Sequence, residues 1–479
     1  MATQTIRKSS QAGIGYSVVE LNDVRHVFAA AVPRRGLTLR QQADDALRTI
    51  EAVIQEEGTR GSIVHQAVFV PSVNLIDECR QIMRDFYGKE MPATSYVPQP
   101  PCEGKLLAIE ALGIGRDPRP APTSGYPPGA PGEVQIERIS EQLVIARHNH
   151  IAWCHCAEVV PRSDNGNGND SVYEASLDCF QQIRELLGSV NIPIDEVVRT
   201  WLYLGGIVED EGPTQRYKEL NRARTDFFED IHFLTDRLPQ PEKGSGTFCA
   251  QPGTERSLVA GPSGKRFPTP FPAPFPASTG IGTEGRRVMM SAIALATDRK
   301  DIVAVPLENP RQTSAFDYAE HYSPKTPKFS RAMALSCGNY ATIFVSGTAS
   351  ITNSETRHVG DAVAQTHETL DNIEALICED NLCHHGLSGL GATLDGLGLV
   401  RVYIKREDDY AKIRAACEKR LGELPTIYAL ADVCRPDLLV EIEGIAFSHK
   451  GPTPPSVGNS PHLHSVPVDD LNRVGGVLR

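Results

Sequence analysis

One pattern of an amphipathic helix, a strand, a second helix and an apolar closing strand occurs three times along the chain. The first copy reads QADDALRTIEAVIQEE, HQAVFVP, NLIDECRQIMRDFYG and KLLAIEALGI, and the third reads DAVAQTHETLDNIEALI, LVRVYIK, DDYAKIRAACEKRLG and DLLVEIEGIA. The middle copy reads VYEASLDCFQQIRELLG, VVRTWLYLGGI, QRYKELNRARTDFF and, after a long interruption, RRVMMSAIALA. A recurrence of this length indicates repeated modules that share one fold. Because repeated modules diverge, we expect the chemistry in the copy that carries reactive groups.

The pattern within each copy predicts an α+β module of β-β-α-β-α-β order. Ala43, Leu47, Ile50 and Val53 form an apolar stripe at helical spacing, which is typical of a helix packed on a sheet. Two such helices can cover only one face of the sheet, so the other face needs a partner. The sheet of a neighbouring module is the simplest partner. We therefore predict three modules around a common core, as a pseudo-trimer within one chain.

The length of 479 residues agrees with three domains. Segments rich in proline, glycine or polar residues, without an apolar period, separate and interrupt the modules. The predicted modules span 13–115, 133–297 and 298–447, with a Pro/Gly linker at 116–132, an insertion at 238–274 and a disordered tail at 448–479.

Charge and composition exclude several classes of function. The 48 basic and 60 acidic residues give a net charge of −12 without a basic block, so nothing supports nucleic-acid binding. No apolar run approaches the roughly 18 residues of a membrane helix, and no leader is evident. Eleven cysteines without regular spacing indicate reduced thiols in the cytoplasm. The stretch HNHIAWCHC alternates like a strand and lacks a second ligand pair, so we predict no metal. The glycines of GIGTEG lack the strand–loop–helix context of a phosphate-binding loop, and we predict no cofactor.

The closing strands distinguish the three copies. Alignment on their apolar residues places Glu110 of the first copy over Glu443 of the third, which suggests a shared scaffold role. Glu441 lies over Ala108, and the middle strand VMMSAIAL has no carboxylate. Burial among apolar neighbours would raise the pKa of Glu441 and suit it to general-acid catalysis. The alternative is an ordinary strand glutamate on a solvated face.

A set of motifs resembles the chorismatase family. In the order of that family's motifs read from the carboxyl end, they are DVCRPDLLVEIEG, RVYIK…YAKIRAAC, QTHETLDNIEALI, VSGTASI, HYSPKTPKFSRA, PLENPRQ, PASTGIG and VVRTWLYLGGI…RYKELNRAR. They cover roughly residues 133–447, and the first module lies outside the resemblance. The resemblance implies a duplicated RidA/YjgF-like fold. It also implies an enzyme that converts chorismate to pyruvate plus a hydroxybenzoate or a dihydroxycyclohexadiene carboxylate.

The resemblance assigns roles to individual residues. Glu441 matches the family's catalytic acid, which protonates the methylene of the enolpyruvyl ether. Arg224 and Arg414 match arginines that hold substrate carboxylates, and two guanidinium groups would fix a dicarboxylate through paired hydrogen bonds. Further pocket residues implied in the same way are Tyr217, Thr279, Tyr322 and Arg331.

Two further positions bear on the product. Cys434 and Gly347 resemble the subgroup that forms 3-hydroxybenzoate, whereas the hydrolytic subgroup tends to carry alanines at both places. A subgroup that forms 3- and 4-hydroxybenzoate together stays open, and Cys434 could equally be an apolar filler. The sequence departs from the family at Leu202, which stands where the family has asparagine.

Two other functions stay open. A RidA-like imine deaminase would need an arginine in a P-A-R-S stretch, but Thr94 and Ile427 stand in that place in the first and third modules. A non-catalytic small-molecule binding protein is the second alternative. Chorismate is the expected partner, and a monomer or small homo-oligomer is the expected assembly.

Overall fold

The computed structural model describes residues 6–11, 13–21, 24–57, 62–115, 134–162, 171–234, 237–238, 258–260, 266–268, 275–318 and 325–450. The predicted linker 116–132 and Tyr322 lie outside these ranges. Most of the predicted insertion 238–274 and all but the first three residues of the predicted tail 448–479 also lie outside them.

The strands form three six-stranded sheets and three short ribbons. The first sheet holds β1 (Ile6–Gln11), β2 (Ile14–Leu21), β3 (Val24–Ala31), β4 (Ile63–Val70), β5 (Ala93–Pro98) and β6 (Ala108–Gly115). The second holds β7 (Gln135–Ser140), β8 (Leu143–His148), β9 (Ile151–Val159) and β10 (Val197–Gly205). After the ribbons β11 (Asp210–Glu211) with β12 (Thr214–Gln215) and β13 (Leu258–Ala260) with β14 (Arg266–Pro268), it gains β15 (Ala277–Thr283) and β16 (Val288–Thr297). The third holds β17 (Ile302–Leu307), β18 (Ala332–Cys337) and β19 (Tyr340–Ala349) and, after the ribbon β20 (Ile351–Thr352) with β21 (Glu355–Thr356), β22 (Leu397–Ile404), β23 (Thr426–Leu430) and β24 (Val440–His449).

The three sheets share one strand order. It reads β1-β2-β3-β6-β4-β5 in the first, β7-β8-β9-β16-β10-β15 in the second and β17-β18-β19-β24-β22-β23 in the third. In each sheet the final edge strand runs parallel to its neighbour, and the other pairs are antiparallel. The predicted β-β-α-β-α-β order is wrong in strand number, because it has four strands where each sheet has six. It lacks the first strand of each sheet, which is β1, β7 or β17. The parallel edge strands β5, β15 and β23 are also absent from it. They are short and follow proline-containing segments, so they leave little periodic signal.

Six of the helices lie where the apolar periodicity predicts them. They are α1 (Leu39–Glu56), α2 (Ile76–Tyr87), α3 (Val172–Gly188), α4 (Arg216–Phe228), α5 (Ala362–Ile377) and α7 (Tyr410–Leu421), and a short unpredicted α6 (Glu379–His384) follows α5. Thr38 begins α1 as a capping box, because its hydroxyl accepts from Gln41 N at 3.3 Å while Gln41 Oε1 accepts from Thr38 N. None of the helices in the described part of the chain is long and apolar enough to cross a membrane.

The helices cover one face of each sheet, and the sheets meet through their other faces and edges. The first helix of each module packs on its own sheet, and the edge strands bridge the modules: β5 contacts β9, β15 contacts β19 and β23 contacts β3. The central ion cluster lies where the three sheets meet, and its members are each at most 5% exposed: Glu110, Arg199, Arg401 and Glu443. The positions of α4, β15, β19 and β24 at one of these junctions create the cavity described next.

Candidate active site

A cavity of about 250 Å³ lies at the junction of the second and third modules. The second module contributes α4 and β15, and the third contributes β19, β24 and the segment that precedes β24. Six residues predicted from the sequence line it: Tyr217, Arg224, Arg331, Gly347, Cys434 and Glu441. The junction therefore collects residues from two modules that are distant in sequence.

Glu441 is the buried carboxyl group of this cavity. It lies on β24, opposite Ala349 of β19 and Tyr403 of β22, and only 4% of the residue is exposed. The alternative of a strand glutamate on a solvated face is therefore wrong. Burial raises the pKa of Glu441 to about 8, and the negative charge of Glu443 contributes to that rise. At neutral pH the group is largely protonated and can donate a proton to a molecule in the cavity.

Arg224 is a buried cation on α4. Its Nη1 donates to Ser278 Oγ at 3.3 Å and its Nη2 donates to Asn221 Oδ1 at 2.6 Å, whereas its Nε has no hydrogen-bond partner among the described residues. Burial lowers the pKa of Arg224, and the partner that opposes this effect is the hydroxyl of Tyr217 rather than a carboxylate. A buried guanidinium group with this surplus of donors is a binding position for an anion.

Arg331 is the second buried cation of the cavity. Its Nη2 donates to the carbonyl oxygen of Thr313 at 2.8 Å and to the hydroxyl of Tyr318 at 2.7 Å, and within the described part of the chain its Nε has no hydrogen-bond partner. The ring of Phe329 lies near both cations, with its centroid 5.2 Å from Cζ of Arg224 and 5.5 Å from Cζ of Arg331. The two guanidinium groups therefore lie on the same side of the site, around one aromatic ring.

Gly347 and Cys434 lie close to Glu441. A Cβ at Gly347 would overlap Oε1 of Glu441, so only glycine allows this placement of the carboxyl group. Burial raises the pKa of the Cys434 thiol to about 12, which keeps it uncharged at neutral pH. Cys434 therefore acts here as a neutral, polarizable wall rather than as a thiolate nucleophile.

Thr279 does not line the cavity. Its hydroxyl accepts hydrogen bonds from Arg199 Nη2 at 2.6 Å and from Gly347 N at 2.9 Å. The same hydroxyl donates a hydrogen bond to Oε2 of Glu443. Because side chains alternate along a strand, its neighbours Ser278 and Gly280 face the cavity instead. Thr279 therefore lies outside the cavity, where it binds the backbone of the lining residue Gly347. Recognising β15 as a strand would have identified its two neighbours from the sequence.

Arg414, to which the resemblance gives a substrate carboxylate, lies at a different cavity from Glu441. It is about half exposed, and it donates from Nε to Glu418 at 2.7 Å and from Nη1 to the hydroxyl of Tyr410 at 2.9 Å. Its cavity, of about 630 Å³, lies between the third and first modules. The reason is the contact of β23 with β3, which turns the second helix of the third module, α7, toward the first module. The second helix of the second module, α4, faces the third module and so supplies Arg224.

Several lining residues were not predicted. Asn221 occupies the position on α4 that Arg414 occupies on α7, because each follows a tyrosine, Tyr217 or Tyr410, at the same spacing. This correspondence between the two helices is the signal that could have identified Asn221. Others lie in segments without periodicity or beside predicted residues: Lys218, Tyr318, Phe329 and Arg435.

The chain is an α+β protein of three like-ordered sheets, with a buried carboxyl group of raised pKa and two buried arginines around one cavity. Comparison with known proteins refines this class. A 3-hydroxybenzoate synthase of Streptomyces hygroscopicus is 31% identical over 298 residues, which are 61% of this chain and 73% of that protein. A chorismatase of Streptomyces rapamycinicus is 40% identical over 173 residues, 35% of this chain and 50% of that protein. The chain belongs to the chorismatase family.

The fold comparison extends beyond the region of sequence resemblance. A crystal structure of a chorismatase matches with a TM-score of 0.55 and 22% identity, covering 81% of this chain and 93% of the solved chain. That share of this chain is larger than residues 133–447 occupy, so the similarity in fold reaches outside the second and third modules. No protein-family model matches the sequence.

Proposed function

We propose that this protein releases pyruvate from chorismate and forms 3-hydroxybenzoate. One observation carries the proposal: Glu441, a carboxyl group with a pKa of about 8, lines a cavity that also holds two buried arginines. Chorismate has two carboxylates and an enolpyruvyl ether that reacts on protonation. The names of the two relatives agree with this substrate and product.

The proposed reaction begins with proton transfer from Glu441 to the methylene carbon of the enolpyruvyl ether. This step produces an oxocarbenium ion, which the conjugate carboxylate of Glu441 stabilises. Capture of the cation by the ring hydroxyl of the substrate leads to pyruvate and 3-hydroxybenzoate without consumption of water. Capture by water instead leads to pyruvate and a dihydroxycyclohexadiene carboxylate.

Arg224 and Arg331 are the proposed anchors for the two substrate carboxylates. Both are buried, and in both Nε lacks a hydrogen-bond partner in the part of the chain that the structure describes. Arg331 thus takes the role that the sequence resemblance gave to Arg414. Tyr217, whose hydroxyl lies beside Arg224, would complete the binding of one carboxylate.

The proposed architecture is a pseudo-trimer within one chain, with the chemistry at one of three junctions. The cyclic contacts of β5 with β9, β15 with β19 and β23 with β3 support this arrangement. Glu441, Ala108 and Ser291 occupy corresponding places, each opposite an aromatic residue of the neighbouring strand. Only the third module has a carboxyl group there.

We expect sedimentation to give a mass near the 52.2 kDa of one chain, and a mass of several chains would contradict a complete ring within the monomer.

The cytoplasm is the proposed location. Ten cysteines of the described residues are free thiols, and most of them are buried. Free thiols persist in a reducing compartment.

The direct test is incubation of the purified protein with chorismate. Pyruvate release is coupled to lactate dehydrogenase, and the aromatic products are separated by chromatography. Pyruvate with 3-hydroxybenzoate is the expected result. A dihydroxycyclohexadiene acid would retain the reaction class and contradict the product, and no pyruvate from folded protein would contradict the proposed function.

We predict that replacing both Gly347 and Cys434 by alanine shifts the products toward hydrolysis. The Cβ at position 347 overlaps Glu441 Oε1, so the carboxyl group must move, and the smaller side chain at position 434 leaves room for water. The ratio of dihydroxycyclohexadiene acid to 3-hydroxybenzoate, measured by chromatography, should rise. An unchanged ratio at reduced rate would show that the two positions do not determine the product.

A further inference from the structure

The central ion cluster connects the first module to the strand of Glu441. Arg401 on β22 binds Glu110 on β6 with two hydrogen bonds, from Nε and from Nη2, each of 2.7 Å. Its third nitrogen, Nη1, lies 3.2 Å from Oε1 of Glu443 on β24. Arg199 on β10 binds the other oxygen of Glu443, at 2.5 Å. The cluster thus joins all three sheets through one row of alternating charges.

The central ion cluster has no net charge, because it contains two carboxylates and two guanidinium groups. Its members are almost completely buried, so each charge depends on its partners for stabilisation. Burial opposes the ionisation of Glu443, but Arg199 and Arg401 outweigh it and hold the pKa of Glu443 below its ordinary value. Removing the charge of Glu110 would leave Arg401 with Glu443 as its remaining carboxylate.

The charge of Glu443 acts on Glu441, which lies two residues before it on the same face of β24. The charged and titratable groups around Glu441 come from several elements. Glu443 lies on β24, the same strand as Glu441, Arg199 lies on β10, and Arg331 lies just before β18. Tyr217 lies on α4, and Cys434 lies on the segment that precedes β24. Glu443 favours protonation of Glu441, whereas the two arginines oppose it. The balance among them determines whether Glu441 holds its proton.

We infer that Glu110 is a positioning residue for the reaction: it holds Arg401 and balances its charge, and through Arg401 it keeps Glu443 fixed beside Glu441. The first module thereby contributes to the chemistry of a cavity that it does not line. The inference rests on the proposed function, since it assigns Glu441 the role of proton donor.

The test is the variant Glu110→Gln, which removes a charge while keeping the shape of the side chain. The midpoint of the Glu441 titration is followed by NMR of carboxyl-labelled glutamate, with Glu441→Gln to assign its signal, and without substrate. We expect the midpoint to fall by about half a unit or more, because nearby charges shift carboxyl pKa values by about 1–3 units and Glu110 acts at one remove. The sign follows from the loss of a negative charge, which favours the ionised form of Glu441. The loss of activity at alkaline pH should move to lower pH by the same amount.

The matched control is Glu57→Gln. Glu57 is a buried carboxylate of the first module that pairs with Arg7 and Arg25 and does not contact the central ion cluster. We expect this variant to lower Tm and to leave the Glu441 midpoint unchanged. Equal shifts in both variants, or no shift in Glu110→Gln, would overturn the inference.

A second variant covers the case in which Glu110→Gln does not fold. Glu110→Leu with Arg401→Met replaces the ion pair by apolar side chains, a change that proteins often tolerate. In this variant Arg199 still binds Glu443. Of the two charges that are removed, the positive charge of Arg401 is the one that contacts Glu443, so its loss should raise the midpoint of the Glu441 titration. An unchanged midpoint would contradict the inference. A shifted midpoint in protein that releases no pyruvate would support the link to Glu441 and count against the proposed function alone.

Discussion

Glutamine in place of Glu441 should lower kcat for pyruvate release by about 10²–10⁴-fold, the usual contribution of a positioned general acid. Glutamine has nearly the same shape but cannot transfer a proton to carbon. In the wild-type enzyme, activity should fall as the pH rises through about 8, because Glu441 then loses the proton it donates. The rate of pyruvate release, measured from pH 6 to 9 for both proteins, tests this expectation. Wild-type activity in the variant would remove Glu441 from the mechanism.

The same variant should be at least as stable as the wild type at neutral pH. The pKa of Glu441 in the folded protein is about 8, raised by burial from an ordinary value of 4.5. Its contribution to stability is therefore complete below about pH 4.5 and is lost as the pH rises toward about 8. Glutamine has no such loss, so the difference in Tm in favour of the variant should grow from pH 5 to pH 8. A variant that unfolds more easily at pH 7 would indicate a structural role instead.

Methionine in place of Arg224 should lower kcat/KM by about 30-fold to several thousand-fold. This range corresponds to about 2–5 kcal/mol, the cost of leaving a buried carboxylate of the substrate without its cation. Most of the change should fall on KM, because the arginine binds substrate before and after proton transfer. The ligand-free variant should keep or exceed the wild-type Tm, since removing a buried cation without a carboxylate partner offsets the loss of two hydrogen bonds.

Arg414→Met is the matched control for this prediction. The substitution is the same and the residue lies on the corresponding helix, but Arg414 lines the cavity between the third and first modules. We expect kcat/KM for chorismate to stay near the wild-type value. A loss as large as that of Arg224→Met would support the carboxylate-binding role that the sequence resemblance implied, and would contradict the placement of the substrate in the cavity of Glu441.

Much of the fold and part of the candidate site follow from local patterns. The helical stripe that includes Ala43 and Leu47 is buried against the first sheet, and the distinction between Glu441 and its counterpart Ala108 is visible in the aligned closing strands. The edge strand β15 was missed because its short run of small residues has no clear alternation. The resemblance pointed to Thr279 on this strand, and the alternation of a strand would have pointed to its neighbours Ser278 and Gly280, which line the cavity.

Two features of this protein can be found without a structure: the threefold recurrence of an α+β pattern and the distinctive carboxylate in the third copy. Both are local features, because periodicity and alignment depend on neighbouring residues. The separation of Arg414 from the cavity of Glu441, and the link from Glu110 to Glu443 through Arg401, are visible in the tertiary structure alone. These relations depend on which module each edge strand packs against, and such packing joins residues from distant parts of the chain.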